Sequence, residues 1–455
     1  MRKALPYSFN VAAITCSSIV ALYSMQIQAS GFALIEQSVS GMGTAYAGSA
    51  AQAQDATTIY FNPAGLTHLK EPQAIAATHI VVPQAEYDEK GSTHALSLFG
   101  VTLGTEDGGD AGDAAAVPNL YYARKLPNGT SFGLGINVPF GLSTEYNRNW
   151  IGRYHAVKSE VHTVNINPAI AFKATDQLSV GLGFNLQYIE AELTNAIDFG
   201  LIDASLFGGA FGLPQGGAAD GFIKLKGSDW SAGYNLGVLY DFNDQIRFGL
   251  HYRSKVKHTL EGKANFTVPG GGAIEGATGL FIDTDVESTV SLPGSLSASI
   301  YHDLNNQWAI MADITWTEWS RVKELRFEFE NPVQADGVTS LKWEDTYRYS
   351  AGITHTPNDT LTYRAGIAYD ETPIPNSHFR SPRVPGADRL WLAIGLGYKY
   401  SSQLSFDIGY AHLFVNDARI NKSLLDAENA ARGNLNGKYD ASVDMLSAQL
   451  KWIFM

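Results

Sequence analysis

The sequence predicts an all-β fold, a 14-stranded antiparallel transmembrane β-barrel whose lumen is plugged by a small N-terminal hatch. Three observations carry that prediction. Apolar residues fall at every second position in many separate stretches, tight turns alternate with long segments, and an export signal opens the chain.

The signal comes first. Arg2 and Lys3 precede an apolar stretch from Val11 to Leu22 and a polar region ending near Ala29. The stretch is short and broken by Thr15, Ser17 and Ser18, so it spans a bilayer poorly and reads as a segment removed after export, residues 1–29. Ile27 stands where a smaller residue is usual, and cleavage after Ala29 or after Ser30 both fit. Removal takes away Cys16, the only cysteine, which closes the rest of the chain to disulfides and thiolate metal sites. It also removes two cations and no acid, moving the formal charge from -13 to -15. Such an acidic chain repels nucleic acid, and no cofactor is called for.

No later run reaches the roughly 18 apolar residues of a helical span. Yet Gly (45), Tyr (22) and Phe (22) are abundant and only 17% of residues are charged, a mixture suited to strands with one lipid-facing side. A secreted β-sandwich or propeller shares that bias, so alternation decides. Leu178, Val180, Leu182, Phe184, Leu186 and Tyr188 are separated by Ser179, Gly181, Gly183, Asn185 and Gln187, giving one greasy face and one small, polar face. The same period recurs over 132–138, 234–240, 308–316, 361–369, 390–398 and 404–410. Aromatic residues close several of these rows, as an interfacial girdle requires.

Turn-formers mark tight joints at 127–129, 175–176, 243–244, 305–306, 357–359 and 401–402. Long segments lie between them at 88–113, 147–160, 196–227, 261–285, 330–340, 371–386 and 419–438. Six turns and seven loops give fourteen strands over 71–455, an even number with both ends on the periplasmic side. The last strand alternates from Leu450 to Phe454, and the extra Met455 departs slightly from the usual aromatic ending. Residues 30–70 are Gly/Ala-rich and irregular, and their Phe32, Leu34, Ile35, Tyr46, Ile59, Tyr60 and Phe61 favour a packed hatch over a dangling arm.

Gly31-Phe32-Ala33-Leu34-Ile35-Glu36-Gln37-Ser38, then Gly41-Met42-Gly43-Thr44-Ala45-Tyr46-Ala47-Gly48 and Asn62-Pro63-Ala64-Gly65-Leu66, closely resemble the hatch of the FadL family of outer-membrane long-chain fatty acid transporters. Tyr252-Arg253-Ser254, Gly366-Ile367-Ala368-Tyr369-Asp370 and Asp388-Arg389-Leu390-Trp391-Leu392 are similar to its strand motifs, so the likeness covers nearly all of the exported chain. The resemblance implies capture of a hydrophobic ligand by external loops, a deeper site against the hatch, and lateral exit through the wall. It also implies ligand contact by Phe32 and Leu34, and a latch at Asn62, Pro63 and Ala64; simple plug packing and a rigid turn are the plainer readings. Related branches carry alkanes or aromatic hydrocarbons, which keeps that substrate class open.

The residues supply the exit independently. Alternation in the third strand stops at Pro139-Phe140-Gly141, where proline cannot donate to the ladder and glycine permits a bulge. A lateral portal or an ordinary rim bulge would both follow. Outside the membrane, Leu201, Leu206, Phe207, Phe211, Phe266 and Phe281 are apolar loop residues that must cover one another or form a capture groove.

The chain departs from its relatives at the carboxylate. Two cationic positions of the best-understood member align with Asn195 and Glu344, neither of which pairs with an anion. Strand alternation aims Arg247, Arg253, Lys255, Arg348 and Arg364 at the lumen, where they serve instead or form a structural network with Asp313, Asp345, Asp370 and Glu371. Expected partners are a lipophilic ligand, outer-membrane lipid and lipopolysaccharide, with the chain a monomer.

Rival classes are weaker. Gly129-Thr130-Ser131-Phe132-Gly133 matches a nucleophile elbow, but it sits on a turn entering a strand, whereas the elbow needs a strand-to-helix turn. The histidines show no metal-ligand spacing, and His155 and His162 read as solvated. Glu106, Asp107, Asp110 and Asp113 lack the order of a calcium loop and read as a solvated acidic segment. A structural or adhesin-like barrel needs neither hatch nor kink.

Overall fold

The computed structural model describes residues 31–454; the signal segment, its cleavage site and Met455 lie outside them. The wall begins with β1 (Gln73–Glu89) and β2 (Ala115–Lys125), and the third crossing is split into β3 (Ser131–Asn137) and β4 (Gly141–Glu145). β5 (Lys158–Lys173), β6 (Leu178–Asp198) and β7 (Asp220–Asp241) follow unbroken. The next two crossings are split at the same height, into β8 (Ile246–Arg253) with β9 (Val256–Thr267) and β10 (Thr284–Leu292) with β11 (Ser295–Asp303). β12 (Trp308–Thr317) with β13 (Glu324–Phe329) and β14 (Gly337–Ser340) with β15 (Thr346–His355) make the ninth and tenth. β16 (Leu361–Asp370), β17 (Arg389–Lys399), β18 (Leu404–Val415) with β19 (Ala418–Lys422), and β20 (Leu435–Ile453) complete fourteen.

β1 pairs antiparallel with β20 from Gln73↔Ile453 to Glu89↔Gly437, so the sheet closes on itself into a barrel. The predicted fold is the observed one. Each tight turn is held by its own side chain where Asn is present. Asn128, Asn243, Asn305 and Asn358 accept the amide two residues on, at 2.9 to 3.1 Å. Outward residues such as Phe184, Leu236, Ile310 and Ile394 are exposed, while Ser179, Asn185 and Gln187 between them are buried in the lumen. Tyr188 and Trp230 meet at one rim of this band, and Trp452 stacks on Phe454 at the other.

Two loops are shorter than the sequence suggests. β6 enters 196–227 as far as Asp198 and β7 occupies it from Asp220 on, and β9 and β10 likewise invade 261–285. Above the lipid the outward positions turn charged, as at Lys224, Lys226, Glu261 and Lys263, while Ile223, Leu225, Leu260 and Ala264 still face inward. The greasy face that marks a strand has thus moved inside. The segment 330–340 is also more ordered than a loop, because β13 and β14 pair from Glu324↔Ser340 to Phe327↔Gly337.

The hatch fills the lumen with helices too short to persist alone: α1 (Val39–Met42), α2 (Ser49–Gln52), α3 (Thr58–Phe61) and a 3-10 turn (Pro63–His68). Ser38 Oγ caps α1 by accepting Gly41 N at 3.1 Å. Met42, Tyr46, Ile59 and Leu66 are buried against the wall. Glycine on the wall permits this fit, since a Cβ at Gly181 or Gly237 would overlap Ala64 N or Asn62 Oδ1.

Candidate functional site

The ladder between the second and third strands stops halfway. β2 pairs with β3 only between Leu120↔Ile136 and Lys125↔Ser131, and β4 pairs only with β5, so Ala115–Asn119 face no wall strand on that side. The hatch supplies the missing partner. Leu34 N donates to Pro139 O at 2.8 Å and Gly141 N donates to Phe32 O at 2.9 Å, placing Ala33 opposite Phe140 in a short antiparallel bridge. Gln37 Nε2 donates to Val138 O at 2.7 Å, and Asn119 Nδ2 on the far side donates to Glu36 O at 2.8 Å. Residues 32–37 therefore stitch both lips of the gap. Gly141 has ordinary backbone angles, and its missing side chain makes room for Leu34, whose Cδ1 would lie 3.0 Å from a Cβ there.

Two cavities stack above and beside this seam. The upper one, about 1010 Å³ including its open mouth, is lined by Phe32, Leu142, Ile189, Leu260, Leu325 and Trp343 among other apolar side chains. That is the size and character of a site for a long apolar ligand. The lower one, about 870 Å³, runs along Leu34, Tyr60, Phe61, Pro139, Phe140 and Trp391 and carries Glu36, Arg253, Arg348 and Arg389. An aromatic partition separates them: Phe32 lies 5.2 Å from Trp319, 5.9 Å from Phe140 and 5.9 Å from Trp343, ring centre to ring centre. Burial pushes the Glu36 carboxyl up to about 7, against the pull of Arg389 and Arg348.

The residues singled out from the sequence divide as follows. Phe32 lines the upper cavity, and Leu34, Pro139 and Phe140 line the lower. Asn62, Pro63 and Ala64 line neither. Asn62 instead ties the hatch down, its Nδ2 donating to Ala50 O at 2.6 Å and to Val238 O of β7 at 2.9 Å, while its Oδ1 accepts Ala64 N. Arg253 and Arg348 border the lower cavity but are engaged by the hatch, donating to Tyr60 O and Ala45 O, each at 3.0 Å. Lys255 does not face the lumen. Arg253 and Ser254 are both buried, so one extra residue flips the alternation and leaves Lys255 exposed.

Glu344 is exposed, away from both cavities, and Asn195 accepts a hydrogen bond from Arg383 Nη2 at 3.1 Å. Of the loop residues, Phe266 and Phe281 meet at 5.8 Å and are joined by Phe199, Leu201 is buried, Phe207 and Phe211 pair with each other, and Leu206 is exposed. None of them lines the upper cavity itself, and Phe266 packs behind the lining against the cluster of Leu193, Leu225 and Val286. His155 is buried rather than solvated, because the segment 146–157 folds into the mouth of the barrel. Trp319, Trp343, Arg383 and Val384 went unnoticed in the sequence. The loop bearing the last two, 371–388, turns inward and buries Ile374, Ser381, Arg383 and Val384, for which Pro373 and Pro375 around Ile374 and Pro382 and Pro385 around Val384 were the available signal.

A closed barrel with a lipid-facing exterior, a plugged lumen and cavities leading to a break in its wall defines an outer-membrane transport barrel. The chain belongs to the outer membrane protein transport protein family (OMPP1/FadL/TodX), whose family model matches residues 20–454. It is 31% identical over 454 residues to the putative outer membrane protein NMB0088 of Neisseria meningitidis, covering 95% of this chain and 97% of that one. It is 32% identical over 408 residues to a long-chain fatty acid transport protein of Escherichia coli O6:H1, covering 87% and 89%. In fold it is similar to a Pseudomonas aeruginosa FadL homologue, with a TM-score of 0.85 at 24% identity over 93% of this chain and 100% of that one. The Pseudomonas putida toluene transporter TodX is similar at a TM-score of 0.67 and 17% identity, over 91% and 97%.

Proposed function

We propose that the protein takes up long-chain fatty acids or closely similar lipophiles across the outer membrane. A molecule caught by the external loops enters the upper cavity, passes the aromatic partition around Phe32 and Trp319, and leaves sideways into lipid where residues 32–37 withdraw from the gap at Pro139–Gly141. The observation that carries this reading is the backbone bridge between Phe32–Leu34 and Pro139–Gly141, because it closes the wall with a segment of the hatch and not with the wall itself. Lateral exit spares an apolar solute an aqueous channel.

The energetics favour the tail. Burying about 0.8 kcal/mol worth of each methylene gives roughly 10 kcal/mol gross for about a dozen, against about 1.5 to 3 kcal/mol for one hydrogen bond to a charged group. Transport, not catalysis, is the role: Ser131 is buried at the start of β3, on the turn side of the strand. The barrel acts as a monomer, each copy holding its own cavities and gap, with the greasy band against lipid and the charged upper strands against lipopolysaccharide.

Uptake of radiolabelled oleate by cells with and without the gene is the test. Gene-dependent uptake is the expected result. Gene-dependent uptake of toluene or of an alkane without oleate would move the substrate to the hydrocarbon class, and loss of adhesion without change in either uptake would overturn transport.

A further inference from the structure

The lining of the upper cavity is mostly apolar; its polar side chains are Lys226, Ser288, Glu324, Thr339, Ser381 and Arg383, and Glu324 is paired with Arg326. Two cations border it, Lys226 and Arg383. Lys226 is half exposed and already paired, its Nζ 2.9 Å from Glu190 Oε1. Arg383 differs in both respects. It is 8% exposed, and no carboxylate of the described residues lies within ion-pair distance of it. Neutral acceptors hold it instead: Nη1 donates to Lys158 O at 3.1 Å, Ser159 Oγ at 2.9 Å and Thr194 O at 3.4 Å, and Nη2 gives a hydrogen to Asn195 Oδ1 at 3.1 Å.

These contacts fix the guanidinium and leave its Nε–H and the second Nη2 hydrogen without a protein acceptor among the described residues. Those two donors form one edge of the planar fork, the edge that grips a carboxylate through two parallel hydrogen bonds. The surroundings add positive charge. Arg432 reaches Thr339 Oγ1 at 3.3 Å, and Thr339 is itself part of the lining. Lys422 donates to His378 O at 2.8 Å, and Glu428 faces Lys422 and Arg432. Burial and the charge of Arg432 lower the pKa of Arg383 to about 9, so it is cationic at neutral pH.

We propose that Arg383 is the headgroup anchor of the upper cavity, which selects a long-tailed amphiphile ending in a carboxylate over a neutral molecule with the same tail. This deepens the transport reading and rests on it. A neutral hydrocarbon would fill the apolar part and leave a desolvated cation without a counter-charge, an arrangement that proteins avoid. Ser381 contributes by accepting Arg383 N at 3.3 Å, which keeps the inward loop folded over the site.

The test is binding of oleate and of oleyl alcohol, which share a tail, to the full chain in lipid nanodiscs. Wild type is expected to bind oleate about ten- to a hundredfold more tightly than the alcohol, the range a hydrogen-bonded charge pair supplies. Arg383→Gln should bring oleate down to the level of the alcohol and leave the alcohol unchanged, and Arg383→Lys should recover part of the preference. No preference in wild type, or an equal loss of both ligands in Arg383→Gln, would overturn the assignment, the latter by making Arg383 a structural support. Binding of neither ligand by wild type would instead sink the transport reading on which the assignment stands.

Discussion

Two interruptions of the barrel wall are closed in different ways. At the third strand the ladder between β2 and β4 is missing and the hatch segment 32–37 fills it. Elsewhere in the wall, β8 breaks from β9 at Ser254–Lys255 and β10 from β11 at Pro293–Gly294, so pairing with β7 lapses between Ser228 and Asn235. There the wall's own groups close the seam: Ser254 N donates to Tyr234 O at 2.9 Å, Ser231 Oγ donates to Lys257 O at 2.7 Å, and His258 bridges Asp229 at 2.8 Å and Gln187 at 3.1 Å. A break in a ladder is therefore not in itself a door. What separates a door from a seam is whether the closing groups belong to a part that can leave.

The comparison can be broken at either end. Straightening the third strand with Gly141→Val and Pro139→Thr should carry the largest effect, lowering oleate uptake on the order of tenfold in a barrel that still assembles, because a regained ladder closes the gap from within the wall. Normal uptake by the folded variant would remove the door. Glu36 sharpens the same side. Its carboxyl is raised to about 7 by burial in the docked hatch, so docking is favoured below the ordinary carboxylate range and that contribution is lost as pH rises through about 7. The loss amounts to on the order of 3 kcal/mol, and hydrogen exchange of the hatch amides, corrected for intrinsic rate, should be slower at pH 5 than at pH 8. Glu36→Gln should abolish that difference.

The seam should respond in the opposite sense. His258→Ala removes the bridge between Asp229 and Gln187, while Asp229 keeps its bond from Ser231, and is expected to cost about 1 to 3 kcal/mol of barrel stability, measured by thermal unfolding in detergent. Uptake should stay near the wild-type level. A fall in uptake matching that of the third-strand variant would erase the distinction between door and seam.

The wall was legible because its chemistry repeats: the period of two, the Asn-bearing turns and the parity of loops all survive in the structure. The kink at Pro139 was legible too, since proline acts on the backbone locally. What closes the kink was not, because Phe32–Leu34 lie about a hundred residues away and a bridge between them leaves no local pattern. Lys255 misled for a related reason, as a single bulge at Ser254 inverts every later position. Arg383 was hidden by its address: in a long external segment a charged residue reads as solvated, and only the inward fold of that loop buries it.

The central claim is that the hatch must release the third strand for a ligand to pass. Ala33 and Phe140 face each other as a non-hydrogen-bonded antiparallel pair, flanked by the bonds from Leu34 N and Gly141 N, a spacing that suits a disulfide. Cys16 lies in the segment expected to be removed on export, so Ala33→Cys with Phe140→Cys would form the bridge without a competing thiol. Oleate uptake by cells carrying this pair should be abolished when oxidised and restored by a reductant, whereas undiminished uptake through the locked hatch would contradict the account.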